Sequence, residues 1–106
     1  MSTAEDPSDR VRQEMITAIE DRKYDFTQRA WHEGLDAFRT HSENPSHEEL
    51  IDYILELLKS GFPLRRVELH DRPGEEAHEL KNADGRGLYI KLKYDWPSVI
   101  VMSFHY

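Results

Sequence analysis

The chain has 106 residues, of which 38% are hydrophobic and 33% are charged, and its formal net charge is −7. This length suits one globular domain, and the absence of cysteine excludes a disulfide scaffold, a thiol nucleophile and every cysteine-ligated metal site. No apolar run approaches the roughly 18 residues of a membrane-spanning helix, and the first residues lack a secretory signal pattern. We therefore expect a cytoplasmic protein with no membrane association. Its acidic balance argues against strong non-specific binding to nucleic acid by the chain as a whole.

The acidic charge is concentrated in the first part of the chain. Residues 1–60 hold 14 acidic and 7 basic side chains, whereas residues 61–106 hold 7 of each. The later part can therefore present a local basic face. The acidic earlier part is either a solvated helical surface or a surface for a basic antitoxin or another basic partner.

Apolar residues at helical spacing predict three helices in the first 60 residues. These helices are predicted over about 7–22, over about 27–39, and from Ser46 to Gly61. The dipeptide Asp6-Pro7 reads as a cap followed by a first-turn proline, and residues 1–6 are expected to be disordered. Ser46 and Glu49 form a capping box at the start of the third helix.

After Pro63 the apolar period changes from 3.6 to 2, which indicates strands joined by turns. Four strands are predicted, over Arg65–His70, Ala77–Lys81, Leu88–Tyr94 and Val99–Phe104. Short links between consecutive strands favour an antiparallel meander. The sequence thus predicts a single α+β domain over 1–106, in which a helical layer (7–60) packs on one face of a four-stranded antiparallel sheet (64–106).

Side chains alternate across a strand, so each predicted strand can be sorted into a face toward the helices and an outer face away from them. The apolar sets are expected to face the helices: Val67, Leu69, Leu80, Leu88, Ile90, Leu92, Ile100, Met102 and Phe104. The outer face is then expected to hold Arg66, Glu68, His70, Glu79, Lys81, Tyr89, Lys91, Lys93, Val101, Ser103 and His105. By the same alternation His78 points toward the helices.

The mixture of groups on the outer face suits metal-free RNA cleavage. That reaction needs a base for the 2′-hydroxyl proton, an acid for the leaving 5′-oxygen, and cations for the charged phosphorane. Glutamate and histidine can serve as base and acid, because their pKa values can be moved toward neutrality. Glu79, His105, Tyr89, Lys91 and Arg66 supply one candidate for each role. A plain solvated sheet face remains the alternative.

The last two predicted strands resemble the end of MqsR-type and related RelE-like toxins. Gly87-Leu88-Tyr89-Ile90-Lys91-Leu92-Lys93-Tyr94 matches their "YIKL" strand, and Val99 to His105 matches their "VISFH" or "VSFK" strand. The terminal His105-Tyr106 also resembles the end of YoeB-type toxins. The similarity is good over residues 86–106 and loose over 48–85.

The resemblance implies a RelE-like ribonuclease fold and the activity of an mRNA interferase, paired with an antitoxin protein and using no cofactor or metal. It places Tyr89 on the strand tyrosine of the family and His105 on its C-terminal catalytic residue. Glu79 falls near the polar catalytic position of the second strand, with His78 as the competing base. The expected substrate-binding residues are Lys91, Lys93 and Arg66, which would hold the phosphate, together with Tyr106.

The sequence is also compatible with a second class of function. A non-catalytic interaction module, such as an immunity protein, an antitoxin-like inhibitor or a degenerate toxin, could keep the fold and bind a basic protein through the acidic helices. Three histidines, His32, His41 and His47, share no ligand spacing and read as surface residues. Trp96, in a turn before Pro97, either packs down on the domain or is exposed and stacks on a base.

Overall fold

The computed structural model of the chain describes residues 7–39, 42–69 and 74–106. These residues form three helices and five strands in an α+β arrangement, namely α1 (Pro7–Glu20), β1 (Tyr24–Phe26), α2 (Gln28–Phe38), α3 (His47–Lys59), β2 (Arg65–Glu68), β3 (Glu76–Leu80), β4 (Tyr89–Asp95) and β5 (Ser98–His105). The expected disorder of 1–6 and the expectations for His41 and His70 lie outside the described residues. No helix in the described ranges has both the length and the apolar character to cross a membrane.

The three helices lie where the apolar spacing and the capping residues place them. Ser46 accepts a hydrogen bond from the backbone N–H of Glu49 at 3.2 Å, as the capping-box pattern predicts. Thr27 caps α2 in the same way, accepting from the N–H of Ala30 at 3.1 Å. Gly61 follows α3 with φ +81°, a backbone conformation that glycine adopts without a steric penalty. Local sequence chemistry is therefore sufficient to fix these helix ends.

The sheet has one strand more than the sequence predicts. Its order is β1-β5-β4-β3-β2, and β2 to β5 form the expected antiparallel meander. The short strand β1 adds to the far side of β5 in the parallel sense, with Tyr24 opposite Val99 and Phe26 opposite Val101. The prediction of a purely antiparallel, four-stranded sheet is thus wrong. Three residues are too few for an alternation signal, and Phe26 also fits the apolar spacing of the helix that follows it.

A β-bulge in β5 changes which side chains face the helices. Lys91 lies opposite Ser103, but the next residue of β4, Leu92, lies opposite Val101, so Met102 has no partner in the ladder. An extra residue of this kind reverses the alternation along its strand. As a result Val101 is fully buried on the helical side with Leu92.

Because of the bulge, three of the predicted side-chain orientations in β5 are wrong. Ile100 and Met102 are half-buried and do not form the inner row, which consists of Val99 and Val101 before the bulge and Phe104 after it. The prediction that Val101 faces outward is wrong for the same reason. Strict alternation along the whole strand cannot reveal such a shift.

The edge strand β2 has the opposite orientation to the predicted one. Arg65 lies opposite Glu79 and Arg66 opposite His78, which puts Arg65 on the outer face and Arg66 on the helical side. The strand that helices α1 and α2 contact most is β5, which is far from β2 in the sheet, so burial under these helices does not set the orientation of β2. Pairing with β3 sets it instead.

The core lies between the helices and the inner face of the sheet. Phe104 is fully buried there, and its ring makes edge-on contacts with Phe38 and Tyr53, with centroids 6.1 Å and 6.3 Å away. The other fully buried large side chains are Met15, Ile19, Leu50, Ile51, Ile54, Leu58, Leu80, Leu88, Ile90, Leu92 and Val99. The helical layer therefore covers one face of the sheet and leaves the outer face for polar groups.

Candidate functional site

The outer face carries a row of four polar side chains, one from each antiparallel strand. Arg65, Glu79, Lys91 and Ser103 lie directly opposite one another across β2, β3, β4 and β5. Tyr89 and His105 form the neighbouring row, because they are opposite each other across β4 and β5. Directly opposite residues in antiparallel strands share a face, so these six residues form one surface, which we call the outer-face site.

Glu79 is at the centre of the outer-face site and is unusually buried for a carboxylate. Its side chain is 8% exposed, and the Tyr89 hydroxyl donates a hydrogen bond to its Oε2 at 2.8 Å. Its Oε1 lies 3.7 Å from Arg65 Nη1 and 3.6 Å from Lys81 Nζ. A buried carboxylate requires such partners, because desolvation of an unpaired charge costs several kcal/mol.

The hydroxyl of Tyr89 is held in its neutral form. Burial raises its pKa first, and the hydrogen bond to Glu79 and the charge of that carboxylate raise it further, to about 12. At neutral pH the phenol is therefore a donor to the carboxylate, and it fixes the orientation of one carboxylate oxygen. The other oxygen, Oε1, is left to the two cations.

His105 lies beside Tyr89 on the same face. The ring centroids are 5.4 Å apart and the rings are tilted by 40°. The ring atom Nδ1 of His105 lies 2.9 Å from the backbone oxygen of Tyr106. Since that oxygen can only accept, the contact suits the ring form in which Nδ1 donates, and it leaves Nε2 as the nitrogen available to a substrate.

The residue that follows, Tyr106, lies beyond the end of β5 and lines a cavity with Glu33 and Ala37 of α2. Its hydroxyl donates to Asp84, a residue of the β3–β4 connection, which also accepts from the backbone N–H groups of Arg86 and Leu88. Burial acts to raise the pKa of Asp84, but these hydrogen bonds outweigh it and hold the pKa below its ordinary value. The connection is thus tied to the end of β5, next to the imidazole.

Cations cluster around Glu79 on the outer face. Arg65 and Lys81 lie near its Oε1, and Lys91 lies opposite it in β4. Lys93 is further along β4, and its Nζ lies 3.1 Å from Glu75 Oε1. Asp25 and Asp95 also lie on this face, so the positive charge is confined to the surroundings of Glu79.

Two residues expected at the site lie elsewhere. His78 is opposite Leu92 on the helical side of the sheet, is 6% exposed, and its Nδ1 has no hydrogen-bond partner among the described residues. Burial lowers the pKa of His78 by more than the nearby Glu76 charge raises it, and Arg66 adds a smaller lowering. Arg66 is on that side too and pairs with Glu76 at 3.5 Å. Neither side chain shares a face with Tyr89 and His105.

Two cations near Glu79 were not among the expected site residues. Arg65 takes the place that the alternation argument gave to Arg66, and Lys81 reaches Glu79 from the turn after β3. The position of Lys81 could be predicted from the sequence, because Lys81 is two residues after Glu79 and alternation places both on the outer face. The position of Arg65 could not be predicted in this way, since the orientation of an edge strand depends on its pairing.

Within the described ranges, no group of three histidine, aspartate or glutamate side chains is arranged to hold a metal ion. Comparison of the chain with protein-family models, with curated proteins and with solved structures finds no significant match. The chemistry of the outer-face site therefore has to be judged from its own residues.

Proposed function

We propose that the outer-face site cleaves RNA without a metal ion. The observation that carries this proposal is the series Glu79–Tyr89–His105, in which a carboxylate, a phenol and an imidazole share one surface beside Lys91. These are the groups that the transfer of a 2′-hydroxyl proton, the protonation of a leaving oxygen and the neutralisation of a phosphate require.

In the proposed reaction Glu79 is the base and His105 is the acid. Oε1 of Glu79 takes the proton of the 2′-hydroxyl while the 2′-oxygen attacks the phosphorus. The bond from phosphorus to the 5′-oxygen breaks, and the Nε2 proton of a charged His105 passes to that oxygen. The products are a 2′,3′-cyclic phosphate and a free 5′-hydroxyl, so atoms and charges balance.

Arg65, Lys81 and Lys91 are suited to hold the phosphate. The contacts of Arg65 and Lys81 with Glu79 are long, at 3.7 Å and 3.6 Å, and the two side chains are 69% and 60% exposed. The cationic groups are the exposed members of these pairs, so a phosphate can bind to them from the solvent side while Glu79 keeps them as neighbours.

The test is incubation of the purified chain with single-stranded RNA in EDTA, followed by analysis of the product ends. We expect cleavage products that end in 2′,3′-cyclic phosphate, and no cleavage of a substrate whose 2′-hydroxyls are replaced by hydrogen. His105→Ala and Glu79→Gln are each expected to lower the rate about 100-fold or more, the usual contribution of a general acid or base. His32→Ala, which removes an exposed histidine on α2, is the matched control and should retain the rate.

Two results would overturn the catalytic proposal. One is intact RNA with the wild-type chain, both free and in the presence of translating ribosomes. The other is equal cleavage by wild type, His105→Ala and Glu79→Gln, which would locate the activity elsewhere or in a contaminant.

We further propose that the cleaved RNA is mRNA and that the chain is the toxin of a toxin–antitoxin pair. The support is the likeness of residues 86–106 to RelE-like and MqsR-like toxins. Induced expression should then arrest growth, and co-expression of the adjacent gene should relieve the arrest. Growth that continues at high expression would contradict the toxin proposal without bearing on RNA cleavage in vitro.

A second candidate function is a non-catalytic module that binds a basic protein. The observation that favours it is the charge of α3, where Glu48, Glu49, Asp52 and Glu56 are all exposed. A pull-down with the tagged chain separates the two candidates when it is combined with the cleavage assay. A captured basic protein together with no cleavage supports the module.

A further inference from the structure

The connection between β4 and β5 exposes a large aromatic ring beside a cleft. Trp96 is 78% exposed, although tryptophans in turns usually pack against the domain. Next to it is a cavity of about 430 Å³ between this connection and α1. Tyr94, Trp96 and Pro97 line the cavity from the sheet, and Glu14 and Asp21 line it from α1 and the turn that follows. We call this the Trp96 cleft.

We propose that the Trp96 cleft binds a basic segment of a partner protein, with an arginine or lysine side chain over the indole ring and its charge facing Glu14 and Asp21. An aromatic face next to carboxylates is the arrangement that recognises organic cations, because the ring quadrupole and the carboxylates attract the same charge. The cleft shares no residue with the outer-face site, so this inference does not depend on RNA cleavage.

The charges of the cleft favour a basic protein over RNA. Glu14 and Asp21 would repel the phosphates of a nucleic acid, whereas Lys23 is a single opposing cation in the lining. The Tyr94 hydroxyl and the Glu14 carboxylate both line the cleft. Burial raises the pKa of Tyr94, and the nearby Glu14 charge raises it further, so the phenol stays neutral and adds no repulsion of its own.

Trp96 itself reports on the proposed binding. The chain has two tryptophans, and Trp31 is half-buried against Phe26, with ring centroids 5.9 Å apart. In a Trp31→Phe background the fluorescence comes from Trp96 alone. The probe is the peptide acetyl-Gly-Arg-Leu-Arg-Gly-amide, titrated at low salt, and the control peptide carries glutamine in place of both arginines.

We expect saturable quenching or a spectral shift with the arginine peptide, and a weaker response with the glutamine peptide. Asp21→Asn and Glu14→Gln should each weaken binding about 2- to 5-fold, as loss of one exposed charge contact does. Asp36→Asn and Glu43→Gln remove exposed carboxylates that do not line the cleft, and these matched controls should bind as tightly as the parent. Raising the salt concentration should weaken binding in all of them.

Several outcomes would overturn the proposal. Equal affinity for the two peptides would show that the cation has no role in binding. Equal weakening by Asp21→Asn and Asp36→Asn would show that only the overall charge of the protein matters. A larger response to a single-stranded oligonucleotide than to the arginine peptide would assign the indole to RNA stacking. Self-association of the chain that Trp96→Ala abolishes would assign the cleft to a second copy.

Discussion

Replacement of Tyr89 by phenylalanine tests the arrangement on which the outer-face site depends. The substitution keeps the ring beside His105 and removes the hydroxyl that donates to Glu79 at 2.8 Å. A hydrogen bond to a charged group contributes about 1.5–3 kcal/mol, and a buried acceptor left unsatisfied adds to its loss. Because Glu79 keeps its contacts with Arg65 and Lys81, we expect Tyr89→Phe to lower the free energy of unfolding at pH 7 by about 2 kcal/mol.

The pH dependence of the stability difference between wild type and Tyr89→Phe gives a second value for the contribution of the Tyr89 hydroxyl. The pKa of Tyr89 rises from 10.0 to about 12 in the folded chain, so folding favours the neutral phenol. The stabilisation is complete below pH 10, where the phenol is neutral in both states, and it is lost as the pH rises through 12. Two pKa units correspond to about 2.7 kcal/mol, which is a ceiling for a half-buried group, and roughly half of that is lost by pH 11.

Urea denaturation followed by far-ultraviolet circular dichroism at pH 7 and pH 11 measures both effects. The difference between wild type and Tyr89→Phe isolates the Tyr89 phenol, because the other tyrosines titrate in both proteins. It should be about 2 kcal/mol at pH 7 and smaller by about 1.4 kcal/mol at pH 11. A double-mutant cycle with Glu79→Gln should assign most of it to the pair. A difference below 0.5 kcal/mol at pH 7, or one that does not shrink with pH, would refute the reasoning.

Three further predictions concern the scaffold and use the same denaturation assay. Ser46→Ala removes the acceptor at the start of α3 and should cost about 0.5–2 kcal/mol. Arg12→Met removes the guanidinium that donates to the backbone oxygens of Leu58 and Phe62, at 3.0 Å and 2.6 Å, and should cost about 1–2 kcal/mol. Burial lowers the pKa of His78, so folding favours the neutral imidazole. The folded state keeps its full stability above pH 6.5 and loses part of it as the pH falls further, because the imidazole is protonated more readily in the unfolded chain. His78→Leu should therefore make the free energy of unfolding less sensitive to acid between pH 7 and 5. An unchanged acid sensitivity in that variant would assign the effect to other groups.

The helices and the meander could be predicted from the sequence because local signals specify them. The Ser46 cap and the apolar stripe of α3 act within a few residues of one another, and so do the turn residues between the strands. The strand β1 could not be predicted, since Tyr24–Phe26 are in the sheet only through their pairing with the distant β5. The orientation of Arg65 and Arg66 likewise depends on a neighbouring strand and not on their own segment.

The residues of the outer-face site could be predicted in the strands whose side chains alternate regularly between the two faces, and not where a bulge interrupts this alternation. Tyr89 and Lys91 share a face through regular alternation in β4, and Glu79 joins them through its pairing with Lys91. Alternation also predicted Ser103 and His105 on this face, as the structure has them. The same alternation predicted that Ile100 faces the helices, which is wrong because the bulge intervenes. An apolar strand shows no sequence mark of a bulge, because both of its faces are hydrophobic.

The bulge at Met102 explains how one strand serves both the core and the outer-face site. Without an extra residue, a strand that turns Val99 and Val101 toward the helices would also turn His105 toward them, because all three positions are odd. With it, Val101 remains under the helices, Phe104 takes the next inner position, and His105 emerges beside Tyr89. Bulges that redirect side chains occur next to functional sites. This one lies two residues before the fully buried Phe104, and the imidazole of His105 follows Phe104 directly. The core therefore sets the position of His105, since movement of its backbone would have to displace Phe104 from its contacts with Phe38 and Tyr53.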